Sequence, residues 1–277
     1  MIIVRGGGDL ATGTIYKLHA CGYHVLILET DRPTAIRRSV SFSEAVYDGT
    51  CQVEHVLCRL VHTTQQCIKA WEAHEIPLIV DPDGSMIKKM RPKAVIDAIL
   101  AKKNLGTSKD MAPLTIALGP GFCAGSDVDY VIETKRGHRL GRVLEKGSAL
   151  PNTGVPGMIA GYGAQRVIHA PAAGTIRVRT AFGSVVKKGQ TLAVIGENGI
   201  PITAALDGVL RGMIRDGFAV EKGLKIADID PRIEEKDNCT TISDKARCIA
   251  GGVLEVIVKH EISKAYGTNR EAADVLK

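Results

Sequence analysis

A glycine-rich turn near the N-terminus has the residue types and spacing that bind a phosphate group. Residues 6–11 fit the pattern G-x-G-x-x-A, a variant of the dinucleotide-binding fingerprint, between an apolar run and a helical pattern. Gly6 would permit the tight turn, and Gly8, which has no Cβ, would let a phosphate approach the start of the helix. Ala11 would let the helix pack closely on the strand. The pattern predicts a nucleotide site; a glycine turn that only packs is the alternative.

Four more residues near the turn are candidates for the same site. Thr12 would add a hydroxyl group to the phosphate site, and Glu29, 21 residues after Gly8, would accept hydrogen bonds from ribose hydroxyls. Asp9 places a negative charge in the turn, where its alternative role is to cap the helix. Arg32 would pair with an additional phosphate, or else lie exposed to solvent. The predicted cofactor-binding residues are therefore Gly6, Gly8, Asp9, Ala11, Thr12, Glu29 and Arg32.

Other reactive residue types occur without a recognised catalytic arrangement. Cys123 lies in a glycine-rich loop and could act as a nucleophile or carry sulfur or selenium; a small buried thiol is the alternative. Asp81, Asp97 and Lys102 lie at or after predicted strand ends, where open α/β sheets bind ligands, with capping and ion pairing as the alternative. The sequence has no GxSxG, Walker A or HExxH motif, so it predicts neither a hydrolase triad nor a bound metal.

The elements that would position the glycine turn follow an α/β pattern. Residues 2–4 form an apolar, β-branched run, residues 10–19 have helical spacing, and residues 24–29 have the pattern of a second buried strand. Similar strand patterns follow, separated by helical stretches. Strands that alternate with helices predict a parallel sheet with crossover helices. We therefore expect a Rossmann-like nucleotide-binding domain over residues 1–110.

Two β-rich regions follow this domain. Residues 111–165 contain short strand-like runs separated by glycine and proline turns, so we expect a β-rich connecting segment there. Residues 169–195 align without gaps on residues 203–229, and glycines coincide at three matched turns. Because turns that need positive φ tolerate little except glycine, the match indicates an internal repeat of a strand–turn–strand unit.

This repeat resembles the biotinyl/lipoyl fold, which is also called the barrel-sandwich hybrid. The resemblance is carried by residues 171–176, 185–195, 205–210 and 220–224. Carrier domains of that fold have a modified lysine at a hairpin tip, which here corresponds to residues 196–200 and contains no lysine. The resemblance implies a barrel-sandwich hybrid module over residues 166–231 with a structural or docking role. A C-terminal helical segment is expected over residues 232–277.

Composition argues against several classes of function. The 277 residues carry a formal net charge of +6 without a block of like charges, so a polybasic tail for nucleic acid or membranes is not expected. Aromatic residues make up only 4% of the chain, which disfavours the base stacking used by single-strand binders. Seven widely spaced cysteines suit reduced thiols in the cytoplasm. No apolar run reaches the roughly 20 residues that span a bilayer.

Most of the chain, from residue 1 to about residue 259, resembles the accessory family of selenium-dependent molybdenum hydroxylases, often called YqeB. The segments that carry the resemblance are residues 3–13, 33–38, 42–47, 95–107, 118–122, 151–157 and 241–247. The resemblance implies a role in the maturation of molybdenum hydroxylases that carry a labile selenium, with the apo-hydroxylase as partner. It supplies no set of active-site residues.

Three hypotheses about function follow from these observations. The first is a cytoplasmic maturation factor that binds a molybdopterin dinucleotide or an adenine nucleotide at the glycine turn. The second is an NAD(P)-dependent oxidoreductase acting on an unknown small substrate, for which the sequence offers no convincing catalytic acid or base. The third is a structural adaptor whose glycine turn holds no ligand. Association of the chain with copies of itself is left open.

Overall fold

The computed structural model describes residues 1–154 and 157–266 of the chain. Residues 155 and 156, in one segment that carries the family resemblance, and residues 267–277 of the expected helical segment lie outside the described residues. The described part contains one nine-stranded sheet, one two-stranded sheet and two four-stranded sheets. It contains no helix with the combined length and hydrophobicity that crossing a lipid bilayer requires.

The nine-stranded sheet is built from the first half of the chain. The strands in this half are β1 (Ile2–Arg5), β2 (Val25–Glu29), β3 (Thr50–Val53), β4 (Val56–Leu60), β5 (Ile76–Val80), β6 (Ala94–Asp97), β7 (Thr115–Leu118), β8 (Cys123–Ala124), β9 (Tyr130–Ile132), β10 (Val143–Leu144) and β11 (Gly147–Ser148). The order in the sheet is β10-β9-β7-β6-β1-β2-β5-β4-β3. Neighbours pair in parallel except at the edges, where β10 runs antiparallel to β9 and β3 to β4. The two-stranded sheet pairs β8 with β11.

Helices cover both faces of this sheet. They are α1 (Asp9–Ala20), α2 (Ala45–Asp48), α3 (Thr64–Glu72), α4 (Ser85–Met90) and α5 (Asp244–Tyr266), and 3₁₀ helices span Arg38–Val40, Phe42–Glu44, Lys109–Met111, Ala164–Arg166 and Ile233–Thr240. Strand β1 is buried throughout, as expected for a central parallel strand, with Ile2 and Val4 in one core and Ile3 in another. Helices α1 and α5 contribute Ile15 and Val253 to the core that contains Ile2.

A second unit, which we call the antiparallel unit, spans residues 167–230. Its strands are β12 (Val167–His169), β13 (Gly174–Val178), β14 (Val185–Val186), β15 (Thr191–Ile195), β16 (Ile200–Thr203), β17 (Gly208–Met213), β18 (Ala219–Val220) and β19 (Lys225–Asp230). They form two antiparallel sheets of order β12-β19-β17-β14 and β16-β15-β13-β18. Each copy of the repeat therefore places its short middle strand, β14 or β18, in the sheet that the other copy dominates. Glycines at the three matched turns have positive φ in both copies, the pairs being Gly174 and Gly208, Gly183 and Gly217, and Gly189 and Gly223.

The fold class predicted from the sequence is wrong. The structure has a nine-stranded mixed sheet and separate antiparallel sheets, instead of a Rossmann-like parallel sheet followed by a β-rich segment and a barrel-sandwich hybrid module. Strands β7, β9 and β10, from the expected connecting segment, extend the large sheet, and the β3–β4 hairpin closes its other edge. These strands are only two to five residues long, and pairing between distant strands leaves no local pattern from which partners could be read.

The antiparallel unit packs against the segment between β2 and α2. The Met213 N–H donates a hydrogen bond of 2.8 Å to the carbonyl oxygen of Ile36, and Arg38 Nε donates one of 3.0 Å to the carbonyl oxygen of Met213. Arg215 adds ion pairs with Glu44, at 3.0 Å, and with Asp48. These contacts bring the antiparallel unit next to the carboxyl edge of the large sheet.

Candidate functional site

The glycine turn between β1 and α1 is held by its own backbone. Gly6 has φ of +95°, and a Cβ there would lie 3.0 Å from the carbonyl oxygen of Ala98, so the position requires glycine. The Gly6 N–H donates a hydrogen bond of 2.7 Å to the carbonyl oxygen of Leu28. The Gly7 N–H donates one of 2.7 Å to the carboxylate of Glu29. Two of the three glycine amides are therefore already paired within the protein.

The third glycine faces open space at the start of α1. A Cβ added to Gly8 would meet no heavy atom within 4 Å. Within residues 1–154 and 157–266, the main-chain N–H groups of Gly8, Asp9 and Leu10 have no hydrogen-bond acceptor; the first N–H bonded back into the helix is that of Thr12. Unpaired amides at a helix N-terminus favour an anion. The turn thus has open space and unpaired N–H donors for a phosphate beside Gly8.

Glu29 lies at the end of β2, where the sequence predicts a ribose-binding carboxylate. It is largely buried, and burial raises the pKa of its carboxyl group, while the N–H groups of Gly7 and Thr30 act in the opposite direction. Each carboxylate oxygen accepts one of these main-chain bonds, at 2.7 and 2.8 Å. Since a carboxylate oxygen has two lone pairs, each oxygen could accept one further hydrogen bond. Glu29 supports the turn and still has capacity for a hydroxyl group.

Asp9 and Arg32 take up contacts that the sequence does not predict. Arg37, a buried side chain, places its Nη1 at 3.1 Å from both carboxylate oxygens of Asp9. The negative charge inside the turn is therefore paired with a cation. The guanidinium group of Arg32 lies over the ring of Phe218 in the antiparallel unit, at 5.2 Å from its centroid. Arg32 thus contributes to the junction of the two units.

Thr12 and Ala11 belong to the packed side of the turn. Both are fully buried. The Thr12 hydroxyl group donates a hydrogen bond of 3.1 Å to the carbonyl oxygen of Gly7 and accepts one of 3.0 Å from the N–H of Phe42. Its hydroxyl group therefore links the turn to the segment between β2 and α2.

A cavity of about 390 Å³ opens at the carboxyl edge of the sheet, next to the first turn of α1. Its walls come from the loops after β6, β7 and β9, from the segment after β11, from Leu10 of α1, and from the start of α5. Four cationic side chains line it: Lys102, Lys135, Arg136 and Lys245. It is the crevice outside the carboxyl ends of parallel strands, where open α/β sheets bind their ligands.

Lys245 is a partly buried cation of this cavity. Its side chain is half-buried, and burial, followed by the repulsion of Arg136, lowers the pKa of its ammonium group. Within the part of the chain that the structure describes, its ammonium group forms no hydrogen bond or ion pair, whereas Arg136 pairs with Asp244 at 2.8 Å. A partly desolvated cation in a cleft is typical of a functional site.

The loop after β6 has a strained backbone where it lines the cavity. Leu100 and Lys102 have positive φ, of 60° and 63°, although neither is glycine. A Cβ at Gly121, in the loop after β7, would lie 2.7 Å from the main-chain nitrogen of Lys103, so the two loops touch. Such strain persists only where surrounding structure enforces it, and it clusters at ligand sites.

The other residues at predicted strand ends have structural roles, apart from Lys102. Asp81 accepts hydrogen bonds from the N–H groups of Ser85, at 3.1 Å, and Met86, at 2.8 Å, and so caps α4. Asp97 lies 3.9 Å from Arg5, both buried, and burial raises the pKa of the Asp97 carboxyl group. Capping and ion pairing, the alternatives for these two carboxylates, account for both.

Cys123 is half-buried in β8, and its main-chain N–H donates to the Asp127 carboxylate at 2.8 Å. Its Sγ donates a hydrogen bond of 3.8 Å to the carbonyl oxygen of Ala124, and no hydrogen bond or ion pair joins it to a cation in the described residues. No set of three His, Cys, Asp or Glu side chains within residues 1–154 and 157–266 is placed to hold a metal ion.

The sequence does not predict a functional role for three of the cations that line the cavity, Lys135, Arg136 and Lys245. Lys135 and Arg136 are adjacent, Lys245 lies more than 100 residues later, and none of the three belongs to a motif that binds anions. One sequence signal was available: Lys245 lies within residues 241–247, one of the segments that carry the family resemblance. The resemblance, however, gives Lys245 no role. The fold and the cavity together define an α/β protein with a cationic crevice at the carboxyl edge of its sheet.

Comparison with known proteins finds a relative of the chain. No protein-family model matches it. It is 50% identical over 258 residues, 93% of its length, to the uncharacterized protein YqeB of Escherichia coli (strain K12). The chain spans 47% of the length of that relative. Nearly the whole of this chain is thus similar to about half of that relative.

Similarity to solved structures is weak. An aspartoacylase family protein from Mesorhizobium loti matches with 13% identity and a TM-score of 0.28, over 82% of this chain and 83% of that one. A succinylglutamate desuccinylase from Silicibacter sp. TM1040 matches with 12% identity and a TM-score of 0.25, over 82% and 84% of the two chains. At these scores the likeness supports no transfer of fold details or activity.

Proposed function

We propose that this chain binds a nucleotide-type anion at the glycine turn and serves as an accessory factor in the maturation of molybdenum hydroxylases. The observation that carries the binding role is the open space at Gly8, beside three main-chain amides that have no acceptor among the residues that the structure describes. A phosphate oxygen there would accept hydrogen bonds from those amides and interact favourably with the dipole of α1.

The residues around the turn fit a nucleotide diphosphate. The ion pair of Asp9 with Arg37 would reduce the repulsion between the Asp9 carboxylate and a phosphate beside Gly8. Glu29, at the end of β2, has lone pairs left for the hydroxyl groups of a ribose. A molybdopterin dinucleotide and an adenine nucleotide both carry these groups, so the site suits either ligand.

The cavity at the carboxyl edge would take the part of the ligand beyond the phosphate. Its cations would attract an anionic group, and burial already disfavours the charged form of the Lys245 ammonium group, lowering its pKa. Transfer of a bound anion from water to this cleft would strengthen its attraction to the ammonium group, because the effective dielectric constant is lower there.

Substitution of Gly8 by valine tests the phosphate site. The side chain would fill the space at the turn without meeting protein atoms at its Cβ, so the fold should persist. Loss of two charge-assisted hydrogen bonds, each worth about 1.5 kcal/mol, predicts about a 100-fold loss of affinity. Calorimetric titration with ADP, NAD⁺ and NADP⁺ measures the affinity. The Gly251→Val variant, in which the new Cβ also meets open space, is the matched control; equal binding by Gly8→Val and wild type would disprove the phosphate site.

Removal of the charge of Lys245 tests the cavity. The Lys245→Met variant keeps most of the side-chain volume, and we expect its affinity for the nucleotide that binds wild type to fall by about tenfold, or 1.4 kcal/mol. Lys264→Met, an exposed lysine near the end of the same helix, is the control and should bind as wild type does. An unchanged affinity in Lys245→Met would exclude the cavity from the ligand site.

The role in hydroxylase maturation rests on the resemblance to the YqeB-type accessory family; the similarity to YqeB, an uncharacterized protein, concerns relatedness and not this role. Deletion of the gene should lower the activity of a selenium-dependent molybdenum hydroxylase, and complementation with wild type should restore it, whereas the Gly8→Val variant should not. Normal hydroxylase activity after deletion would contradict the role. Turnover of NAD(P) by the purified protein would favour an oxidoreductase instead.

A further inference from the structure

A second cavity, of about 340 Å³, lies where the antiparallel unit meets the large sheet. Four arginines from separate stretches of the chain line it: Arg37, Arg136, Arg211 and Arg232. They come from the segment after β2, the loop after β9, strand β17 and the turn after β19. Two carboxylates, Glu235 and Asp244, are among its lining residues. No residue of the glycine turn lines this cavity, so it is a separate place for a ligand.

The carboxylates near this cavity are shared among several arginines. Asp228 pairs with Arg166 at 3.2 Å and with Arg211 at 2.8 Å, and Asp230 pairs with Arg211 at 3.5 Å and Arg232 at 2.9 Å. Two carboxylates thus serve three guanidinium groups. A guanidinium group has five N–H donors, so this sharing leaves donors for a further acceptor.

Arg37 has a buried donor that is not paired with a protein acceptor in the described residues. Its side chain is only 6% exposed, and its terminal nitrogens bind Asp9 and the carbonyl oxygens of Asn238 and Thr241. Its Nε, however, is buried and has no hydrogen-bond partner within residues 1–154 and 157–266. A buried donor on a charged group without an acceptor is costly, and such groups call for an explanation. An anion in the cavity that Arg37 lines would supply the acceptor.

Neutral donors lie beside the arginines. Ser243 accepts a hydrogen bond of 3.2 Å from the N–H of Ala246 at the start of α5, and its own hydroxyl hydrogen remains to be donated. This end of the 23-residue helix also borders the cavity, and a helix N-terminus favours negative charge. Guanidinium forks from several directions suit the oxygens of a phosphate group.

We propose that this cavity between the two units binds an anion with two linked phosphate groups. Such an anion has oxygens enough to contact arginines on both units at once. Binding would therefore hold the antiparallel unit against the large sheet. The diphosphate could be free pyrophosphate or part of a larger ligand, and the two sources share this chemistry.

Titration of the protein with inorganic pyrophosphate tests the proposal. Wild type should bind it saturably, and Arg232→Met should weaken binding at least tenfold. Arg136→Met should do the same, and because Arg136 also lines the first cavity it should weaken nucleotide binding too. Arg59→Met is the matched control: like Arg136 it is 45% exposed and pairs with a carboxylate, but it lies on β4 near the other edge of the sheet.

Each outcome bears on the proposal. Unchanged affinity in Arg232→Met, or no saturable binding by wild type, would overturn it. The Gly8→Val variant should bind pyrophosphate normally even if it loses nucleotide; loss of both ligands in that variant would assign pyrophosphate to the glycine turn and overturn the second site. Competition experiments in the Gly8→Val variant distinguish the two sources of the diphosphate. If ADP displaces pyrophosphate and orthophosphate does not, the natural ligand is a diphosphate carried by a larger molecule. If neither displaces it, the natural ligand is free pyrophosphate.

Discussion

Replacement of Asp228 by asparagine should lower the free energy of unfolding by about 3–5 kcal/mol, the usual cost of breaking a buried ion pair on one side. The side chains of Asp228 and Arg166 are 4% and 5% exposed. Burial lowers the pKa of Arg166, which means that removal from water disfavours its charge, and the carboxylate of Asp228 opposes this effect. Asparagine keeps the shape of the side chain but leaves the arginine without its negative partner.

Urea unfolding followed by circular dichroism measures this loss. The control is Lys187→Met, which removes the ion pair of Lys187 with Asp207 in the same unit; Lys187 is 75% exposed there. Exposed pairs contribute little because water screens them, so the unfolding midpoint of the control should equal that of wild type. A stable Asp228→Asn variant would mean that the arginines do not depend on this carboxylate.

Replacement of either of two adjacent glycines of α5 by alanine should change the free energy of unfolding, in opposite directions at the two positions. A Cβ on Gly252 would lie 2.3 Å from the carbonyl oxygen of Gly141 and 3.2 Å from the side chain of Ile132. The helix would have to move away from β9 and β10, so Gly252→Ala should destabilise the protein by about 3 kcal/mol, as overpacking does. Gly251 is exposed, and a Cβ there meets nothing within 4 Å. Gly251→Ala should therefore stabilise the protein by about 0.5–1 kcal/mol.

Thermal and urea unfolding of the two variants provide the comparison, with each as the control for the other. Helix propensity is the same at both positions, so the difference between them reports the close contact of α5 with the loop after β9. Equal stabilities would show that α5 can shift to accommodate a methyl group.

The first thirty residues show which structural features a local sequence pattern can predict. The order strand, glycine turn, helix and strand over residues 2–29 agrees with the expectation from the sequence, as the observed β1, α1 and β2 show. The geometry of the turn agrees less well. A motif can supply the charges and positions of Glu29 and Asp9. The pairing of Asp9 with Arg37, however, depends on the path of the chain after β2.

The cations that line the two cavities show what a local pattern cannot supply. Lys245 lies on a helix more than 100 residues after Lys102 and Arg136, yet all three line one cavity. Arg211 and Arg232 approach Arg37 only because the antiparallel unit packs against the segment before α2. A single charged residue has no periodicity, so its position in the sequence does not reveal which surface it will face.

By itself, the sequence determined the local elements near its start, the glycine positions that need positive φ, and the repeat within residues 169–229. These depend on neighbouring residues, because backbone sterics and the burial of apolar runs act over a few positions. The tertiary structure alone decided that strands β7, β9 and β10 extend the large sheet, that the two repeat copies exchange their short strands, and that cations from distant segments converge. Those outcomes depend on contacts between residues far apart in the chain, whose free energy is gained only when the whole fold closes around them.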